Sequence, residues 1–354
     1  MRLRLTVLGT VMAVLAAACG GAPAATSAPA SSQAAATTAP TAAAATKRPC
    51  CTKVIAGYSN ITADNWVLWY AFEKGIFKEN GLDVDMKSIS GGAQTSAALL
   101  ANQINIGQFG GSEALSATAA GADLVVIGDM APVYPYILYA QKSIKTVADL
   151  KGKKIGVSNV GGSSDIATRA ALKKEGLDPE KDVQIVAVGS HANRTAALLA
   201  GSIDAGVDDP PEDEELVKAG LNALIDLAAL KLPTANTAIV VQRSWLDANK
   251  DAAQAYIDST VIARAAMLKD KAGTLGVLDK YFKKALGEAG VRAFDFFLAG
   301  KNAVTPQYPF PAIEQFGPAV EELSPKNPKI KDVDLKKLID ASYVKSAQDR
   351  KLGG

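Results

Sequence analysis

The fold of this chain is decided by a stretch that occurs twice, as AALLANQINIG at residues 97–107 and as AALLAGSIDAG at residues 196–206. The same offset relates two further pairs of segments, because GYSN at 57–60 matches GVSN at 156–159 and the Asp-Val pair at 83–84 matches the pair at 182–183. The offset between the matching segments is 99 residues, and the repeats of solenoid proteins have shorter periods than this. The sequence therefore predicts two similar lobes.

Each copy of the repeat alternates strands with helices. The first copy reads as strand 54–58, helix 65–74, strand 82–89, helix 95–101 and strand 104–107. The second reads as strand 154–157, a helix from 163, strand 183–188, helix 194–200 and strand 203–207. This alternation predicts an α/β protein in which each lobe is a mostly parallel sheet flanked by helices. After about residue 237 the pattern is mainly helical, and we expect these helices to complete the first lobe.

Small polar residues follow the predicted strands, at the edge where parallel sheets bind ligands. The candidate ligand-binding residues are Ser59, Asn60, Trp66, Gly91, Gly92, Gln94, Gly111 and Ser112 in the first lobe, with Gly162, Ser163, Ser164, Asp208 and Asp209 in the second. The loop 161–164 is the best candidate for binding an anion, because helix N-termini offer unpaired N–H groups and partial positive charge. A plain turn with a serine cap is the alternative.

Several of these residues have a second interpretation. Trp66 either flanks a ligand or belongs to the core. Asp208 and Asp209 are able to accept hydrogen bonds from an amine or hydroxyl, which favours a cationic or zwitterionic ligand over a simple anion. The acidic run 212–215 is interpreted as the first turn of a helix rather than a metal site. His191 is interpreted as incidental and Arg194 as solvated or structural, and no metal or cofactor is predicted.

The first residues predict export. Arg2 and Arg4 precede an apolar run that ends before Cys19 and is too short to cross a bilayer, so residues 1–18 are interpreted as a signal peptide. We expect Cys19 to be lipidated; cleavage at an Ala-x-Ala site to a soluble form is the alternative. Residues 19–51 read as the lipidated cysteine and a flexible Ala/Thr/Pro linker, in which Cys50 and Cys51 are interpreted as incidental. The net charge of +2 gives no support for a nucleic-acid partner.

Three segments resemble a known family. ADLKGKKIGV at 148–157, GIFKENGLDV at 75–84 and ALLAGSIDA at 197–205 are similar to segments of ABC-importer solute-binding proteins, in the family that takes nitrate, sulfonates, taurine and thiamine-pyrimidine precursors. The resemblance implies a type II periplasmic-binding-protein-like fold, with two lobes joined by two hinge crossings that close on ligand. It implies lobe I at 52–141 plus 243–354, lobe II at 142–242, and crossings near 139–142 and 240–243.

The resemblance also implies a function. It describes a lipid-anchored monomer at the outer face of the cytoplasmic membrane or in the periplasm, which captures a small solute and delivers it to an ABC permease and its ATPase. One alternative is an enzyme of the same fold, of the pyrimidine or menaquinone-precursor synthesis type, against which the export signal argues. A sensor that presents its ligand to a receptor is the other. The sequence does not identify the ligand.

Overall fold

The computed structural model describes residues 51–354. The predicted signal peptide, Cys19, Cys50 and nearly all of the predicted linker lie outside the described residues. Cys51 is disulfide-bonded. Among the described residues, none of the helices combines the length and apolar character that a bilayer span requires.

The described strands form two five-stranded sheets. They are β1 (Thr52–Ser59), β2 (Leu82–Ile89), β3 (Ile106–Phe109), β4 (Leu124–Asp129), β5 (Ile137–Ala140), β6 (Lys154–Val157), β7 (Gln184–Ala187), β8 (Ala205–Asp208), β9 (Asn222–Asp226) and β10 (Ala238–Gln242). The first sheet has the order β2-β1-β3-β10-β4 and the second the order β7-β6-β8-β5-β9. In each sheet one strand, β10 or β5, runs antiparallel to both of its neighbours.

The α-helices cover the sheets. They are α1 (Trp66–Glu73), α2 (Ile76–Glu79), α3 (Gly92–Leu100), α4 (Gly111–Ala119), α5 (Ser163–Lys174), α6 (His191–Leu199), α7 (Glu214–Lys218), α8 (Arg243–Ala248), α9 (Lys250–Lys269), α10 (Lys271–Phe282), α11 (Glu288–Phe294), α12 (Gly317–Leu323), α13 (Leu335–Leu338) and α14 (Ser342–Asp349). Tyr256 and Ile257 of α9 share one apolar core with Val54 of β1. The helical C-terminal part therefore completes the first lobe, as the sequence predicts.

The two copies of the repeat have the same strand register. Gly57 of β1 lies opposite Gly107 of β3, and Gly156 of β6 lies opposite Gly206 of β8. Both pairs differ by the repeat offset, so the sequence repeat is also a repeat of hydrogen-bonded structure.

One side-chain contact is repeated as well. Asn105 Oδ1 accepts a hydrogen bond of 2.8 Å from the backbone N–H of Ile55, and Asp204 Oδ2 accepts one of 2.8 Å from the backbone N–H of Lys154. A short acceptor side chain before the third strand thus binds the backbone of the first strand at the equivalent residue in both lobes. This explains why Asn and Asp occupy equivalent positions of the two copies.

The chain crosses between the sheets earlier than expected. It leaves the first sheet after β4 and enters the second at β5, so the first crossing is 130–136; it returns between β9 and β10, so the second is 227–237. The expected crossings at 139–142 and 240–243 are wrong by one strand each. Short apolar strands give no sign of which sheet they join, and β5 and β10 belong to the lobe that the chain is entering. The two crossings contact each other through a bridge between Val133 and Pro233.

Candidate ligand-binding site

A cavity of about 50 Å³ lies between the two lobes. Its walls come from the strand ends of both lobes and from the two crossings. The lining residues are Ser59, Asn60, Thr62, Asp64, Gly92, Gly110 and Glu113 of lobe I, Ser158, Asn159, Ser163, Ser164, His191, Arg194 and Asp209 of lobe II, and Tyr136 and Asn236 of the crossings. Equivalent loops of the two repeat copies thus face each other across one space.

The structure brings part of the predicted site together here. Six predicted residues line the cavity: Ser59, Asn60, Gly92, Ser163, Ser164 and Asp209. Gly91 and Gln94 line an adjoining opening that shares Ser158 and Asn159 with it. Gly111, Ser112, Gly162 and Asp208 do not line the cavity, and each is adjacent in sequence to a residue that does.

Trp66 lies away from the cavity, which corrects its proposed role as a ligand-flanking aromatic. Its side chain is buried in the core of lobe I, where Nε1 donates a hydrogen bond of 3.0 Å to the carbonyl oxygen of Thr274 and the ring meets Phe294 edge-on. The helices α10 and α11 provide these partners. Since they follow the second lobe in sequence and have no counterpart in the repeat, the local pattern around Trp66 gave no sign of them.

Sequence reasoning missed ten lining residues from the candidate set. They are Thr62, Asp64, Gly110, Glu113, Tyr136, Ser158, Asn159, His191, Arg194 and Asn236. The repeat offered a signal for some of them, because the pair at 158–159 is equivalent to Ser59 and Asn60, and His191 is equivalent to Gly92. Tyr136 and Asn236 required the correct positions of the crossings.

His191 is buried among carboxylates, so the interpretation of this residue as incidental is wrong. Its Nε2 lies 2.8 Å from Asp208 Oδ1 and 3.2 Å from Asp209 Oδ1. Burial alone would lower the pKa of His191, but the negative charge of Asp208 and its contact with Asp209 raise this pKa well above the ordinary value. For Asp208, burial alone would raise the pKa, but the charge of His191 outweighs this effect and the pKa of Asp208 is lowered. The neighbouring carboxylates therefore favour the protonated form of His191.

Glu212 belongs to the same cluster. Its Oε1 lies 3.8 Å from His191 Nδ1, and burial raises its pKa well above the ordinary value. The helix α7 begins only at Glu214, with Glu214 and Glu215 in its first turn. The interpretation of the acidic run as a helical first turn is thus correct for its last two residues and wrong for Glu212.

Arg194 has partners within lobe II. Its Nε donates to the carbonyl oxygen of Val207 and its Nη1 donates a hydrogen bond of 2.7 Å to Ser158 Oγ. The side chain is buried. Arg194 thus has structural contacts, and it also lines the cavity. The two hydrogen bonds use two of its five N–H donors, so pairing with an anion stays open.

Two further carboxylates line the cavity from lobe I. Asp64 accepts a hydrogen bond of 2.5 Å from Thr237 Oγ1, and Glu113 accepts one of 2.8 Å from Ser112 Oγ. Burial raises the pKa of both groups. In lobe II, burial raises the pKa of Asp209 to about 7. Carboxyl groups therefore outnumber basic side chains among the lining residues.

His191, Asp208 and Asp209 also have the spacing of metal ligands. One nitrogen and two carboxylate oxygens lie within 4.8 Å of one another, and all three residues are buried. Such a set suits a divalent cation such as Zn²⁺. The same positions equally suit the ion pair of an imidazolium with two carboxylates.

The chain belongs to the NMT1/THI5-like family, whose pattern it matches over residues 63–272. A protein of Escherichia coli named as an aliphatic sulfonates-binding protein is 37% identical over 139 residues, which are 38% of this chain and 43% of that protein. The nitrate/nitrite binding protein NrtA of a Nostoc species is 27% identical over 249 residues, 62% of this chain and 54% of that protein. The chain thus spans about half the length of the curated relatives that it matches.

A solved structure shows the same fold over most of both chains. The alkanesulfonate-binding protein SsuA from Xanthomonas axonopodis pv. citri, bound to MOPS, superposes with a TM-score of 0.66 at 21% identity, covering 85% of this chain and 99% of that chain. This likeness confirms the predicted two-lobed α/β fold. The relatives are mostly named as binding proteins.

Proposed function

We propose that this protein is the extracytoplasmic solute-binding component of an ABC importer. The observation that carries the proposal is the cavity enclosed between two lobes that are joined by two crossings. Because both lobes and both crossings supply its walls, a solute in it contacts every part that has to move when the lobes close. The names of the relatives, which include sulfonate- and nitrate-binding proteins, support the same reading.

The contacts across the lobes support closure by a hinge. Asp213 of lobe II accepts hydrogen bonds of 2.6 and 3.2 Å from the guanidinium of Arg292 in α11, and one of 2.7 Å from Tyr139 of β5. We call Arg292, Asp213 and Tyr139 the interlobe latch. Its link between Arg292 and Asp213 exists only while the lobes are together, so it favours the closed state.

The finer parts of the proposal concern location and partners. We propose that the chain is exported and anchored by lipid at Cys19, acts as a monomer, and delivers its solute to a permease and ATPase. The basic start and apolar run before Cys19 support export. A helical tether is not required, since a lipid anchor and a polar linker suffice to hold a binding protein at a membrane surface.

The test is a thermal-shift screen with nitrate, sulfonates, carboxylates, amines and pyrimidines, combined with small-angle scattering. One compound class should raise the melting temperature saturably, by several degrees at a concentration far above Kd, and reduce the radius of gyration.

The variant Ser163→Trp, which places an indole in the cavity wall, should lose both responses. Ser143→Trp on the exposed surface of lobe II should keep them. Turnover of an added compound, with no change in compactness, would contradict the proposal in favour of an enzyme.

A further inference from the structure

Carboxyl groups outnumber basic side chains around the cavity. Asp64, Glu113 and Asp209 line it, and Asp208 and Glu212 lie directly behind. His191 and Arg194 are the basic residues of the lining. His191 is held by Asp208 and Asp209, and Arg194 donates to lobe II. Burying a carboxylate without a partner is costly, and burial raises the pKa of Asp64, Glu113 and Asp209. A cationic group in the cavity would favour the ionised forms of these carboxyl groups.

Unpaired atoms in the cavity wall point to the same group. Asp209 Oδ2, Asn236 Oδ1 and Asn60 Oδ1 have no hydrogen-bond partner in the described part of the chain. Asp209 and Asn236 are only 2% and 5% exposed. These three oxygen atoms are acceptors, and buried polar atoms are rarely left unpaired. The ring nitrogens of His191 are also without a hydrogen-bond partner in the described part of the chain, although Nε2 lies 2.8 Å from Asp208 Oδ1. The three oxygen atoms come from lobe II, a crossing and lobe I respectively, so a ligand has to offer N–H or O–H donors in several directions.

The predicted anion site is already filled by the protein. The carboxylate of Glu113, from lobe I, lies against the N-terminus of α5, where a Cβ atom on Gly162 would be 2.8 Å from Glu113 Oε1. Hydrogen bonds from the Ser163 backbone and the Asn159 side chain favour its ionised form against the effect of burial. A helix N-terminus that holds an internal carboxylate is not free to bind an anionic ligand.

An aromatic side chain completes the wall. Tyr136 of the first crossing lines the cavity beside Asn236 of the second. The face of an aromatic ring attracts cations, most strongly where water is excluded. The ring thus adds to the effect of the carboxylates.

We infer that the solute captured here is a small organic cation whose charged nitrogen group carries several N–H donors, such as an amidinium or a primary ammonium. The inference rests on the proposed function, and it assigns to this chain a ligand of opposite charge to the nitrate and sulfonates named for its relatives. Asp209, Asn236 and Asn60 receive the N–H donors, and the carboxylate excess neutralises the charge.

The test compares cations with anions on the purified full chain at pH 7.5 and constant ionic strength. The probes are acetamidinium and methylammonium chloride against sodium nitrate and sodium ethanesulfonate, with sodium chloride as blank. The cations should raise the melting temperature saturably and the anions should not. In calorimetric titrations, Asp209→Asn should weaken cation binding at least tenfold, and Asp83→Asn, at an exposed position, should leave it unchanged.

Stability without ligand separates a binding role of Asp209 from a structural one. Because Asp209 Oδ1 lies 3.2 Å from His191 Nε2, Asp209→Asn also weakens this contact, so the melting temperature and the cooperativity of unfolding of the empty variant are measured beside its cation affinity. The empty variant should still unfold cooperatively and should lose cation binding. Cation binding that is retained in the folded Asp209→Asn protein would overturn the assignment of Asp209. Glu212→Gln gives the same comparison from a neighbouring position if the first variant does not fold.

The other outcomes are distinct. Saturable stabilisation by nitrate or ethanesulfonate alone would overturn the inference and leave the proposed function standing. Stabilisation by micromolar Zn²⁺ alone, lost in His191→Ala, would replace the organic cation by a metal and also overturn it. No response to any probe would overturn the inference, and the proposed function would then be decided by the wider thermal-shift screen.

Discussion

Asp129 offers a direct test of the electrostatics near the cleft. It ends β4 at the start of the first crossing and is 0% exposed. Its Oδ1 accepts a hydrogen bond of 3.2 Å from the backbone N–H of Ala131, and its Oδ2 has no partner among the described residues. Burial raises the pKa of Asp129 to about 8. We expect Asp129→Asn, which keeps the shape and removes the charge, to stabilise the protein near neutral pH.

The size of this effect follows from linkage. Each unit between the ordinary pKa of 3.8 and the pH of the experiment corresponds to about 1.4 kcal/mol. At pH 7 this is about 4 kcal/mol, and relaxation around the carboxyl reduces the expected gain to about 2–4 kcal/mol. Because the pKa is raised, the stability contribution is full below the ordinary value of 3.8 and is lost progressively as the pH rises toward the folded-state value of about 8. The advantage of the variant should therefore vanish near pH 4.

The assay is urea unfolding of the wild type, Asp129→Asn and the exposed control Asp83→Asn at pH 4.5 and pH 7.5. The free energy of unfolding of Asp129→Asn should exceed that of the wild type at pH 7.5 and approach it at pH 4.5, while the control follows the wild type at both. A destabilised variant at pH 7.5, or a gain of equal size at the two pH values, would refute the reasoning.

Three further predictions address the latch, the repeat and the core. Arg292→Met should weaken binding of the most stabilising probe of the thermal-shift screen about fivefold, measured by calorimetry. Arg292 is 41% exposed, so its charged hydrogen bonds are worth only about 1 kcal/mol after screening. The control Lys284→Met, which removes an exposed ion pair of 3.6 Å, should change the affinity less than about twofold. Gly57→Ala should cost about 1–3 kcal/mol in urea unfolding because its Cβ would lie 2.5 Å from a side-chain methyl, whereas Gly276→Ala, with open space around it, should not destabilise. Trp66→Phe should lower the free energy of unfolding by about 1–3 kcal/mol and leave the probe affinity unchanged. A change in probe affinity would indicate that Trp66 contacts the ligand.

The candidate site was only partly readable from the sequence. Strand ends could be located because apolar alternation is local, and this found Ser59, Asn60, Ser163 and Ser164. Whether a polar residue after a strand faces the cleft or a covering helix depends on elements far away in the chain. His191 illustrates the limit, since nothing near it in sequence shows that Asp208 and Asp209 close around it.

The sequence by itself determined the two-lobed α/β architecture, because a repeat at constant offset, with the same strand–helix alternation and the same Asn105/Asp204 position, specifies two similar hydrogen-bonded units. It also determined the family, through segments that fix local turns and helix ends. Only the tertiary structure decided where the chain crosses between lobes, that Trp66 is core, and that Glu113 occupies the helix N-terminus expected to bind an anion. The physical reason is that charge balance and burial in a cleft are sums over residues from both lobes, and the folded arrangement alone determines which residues enter each sum.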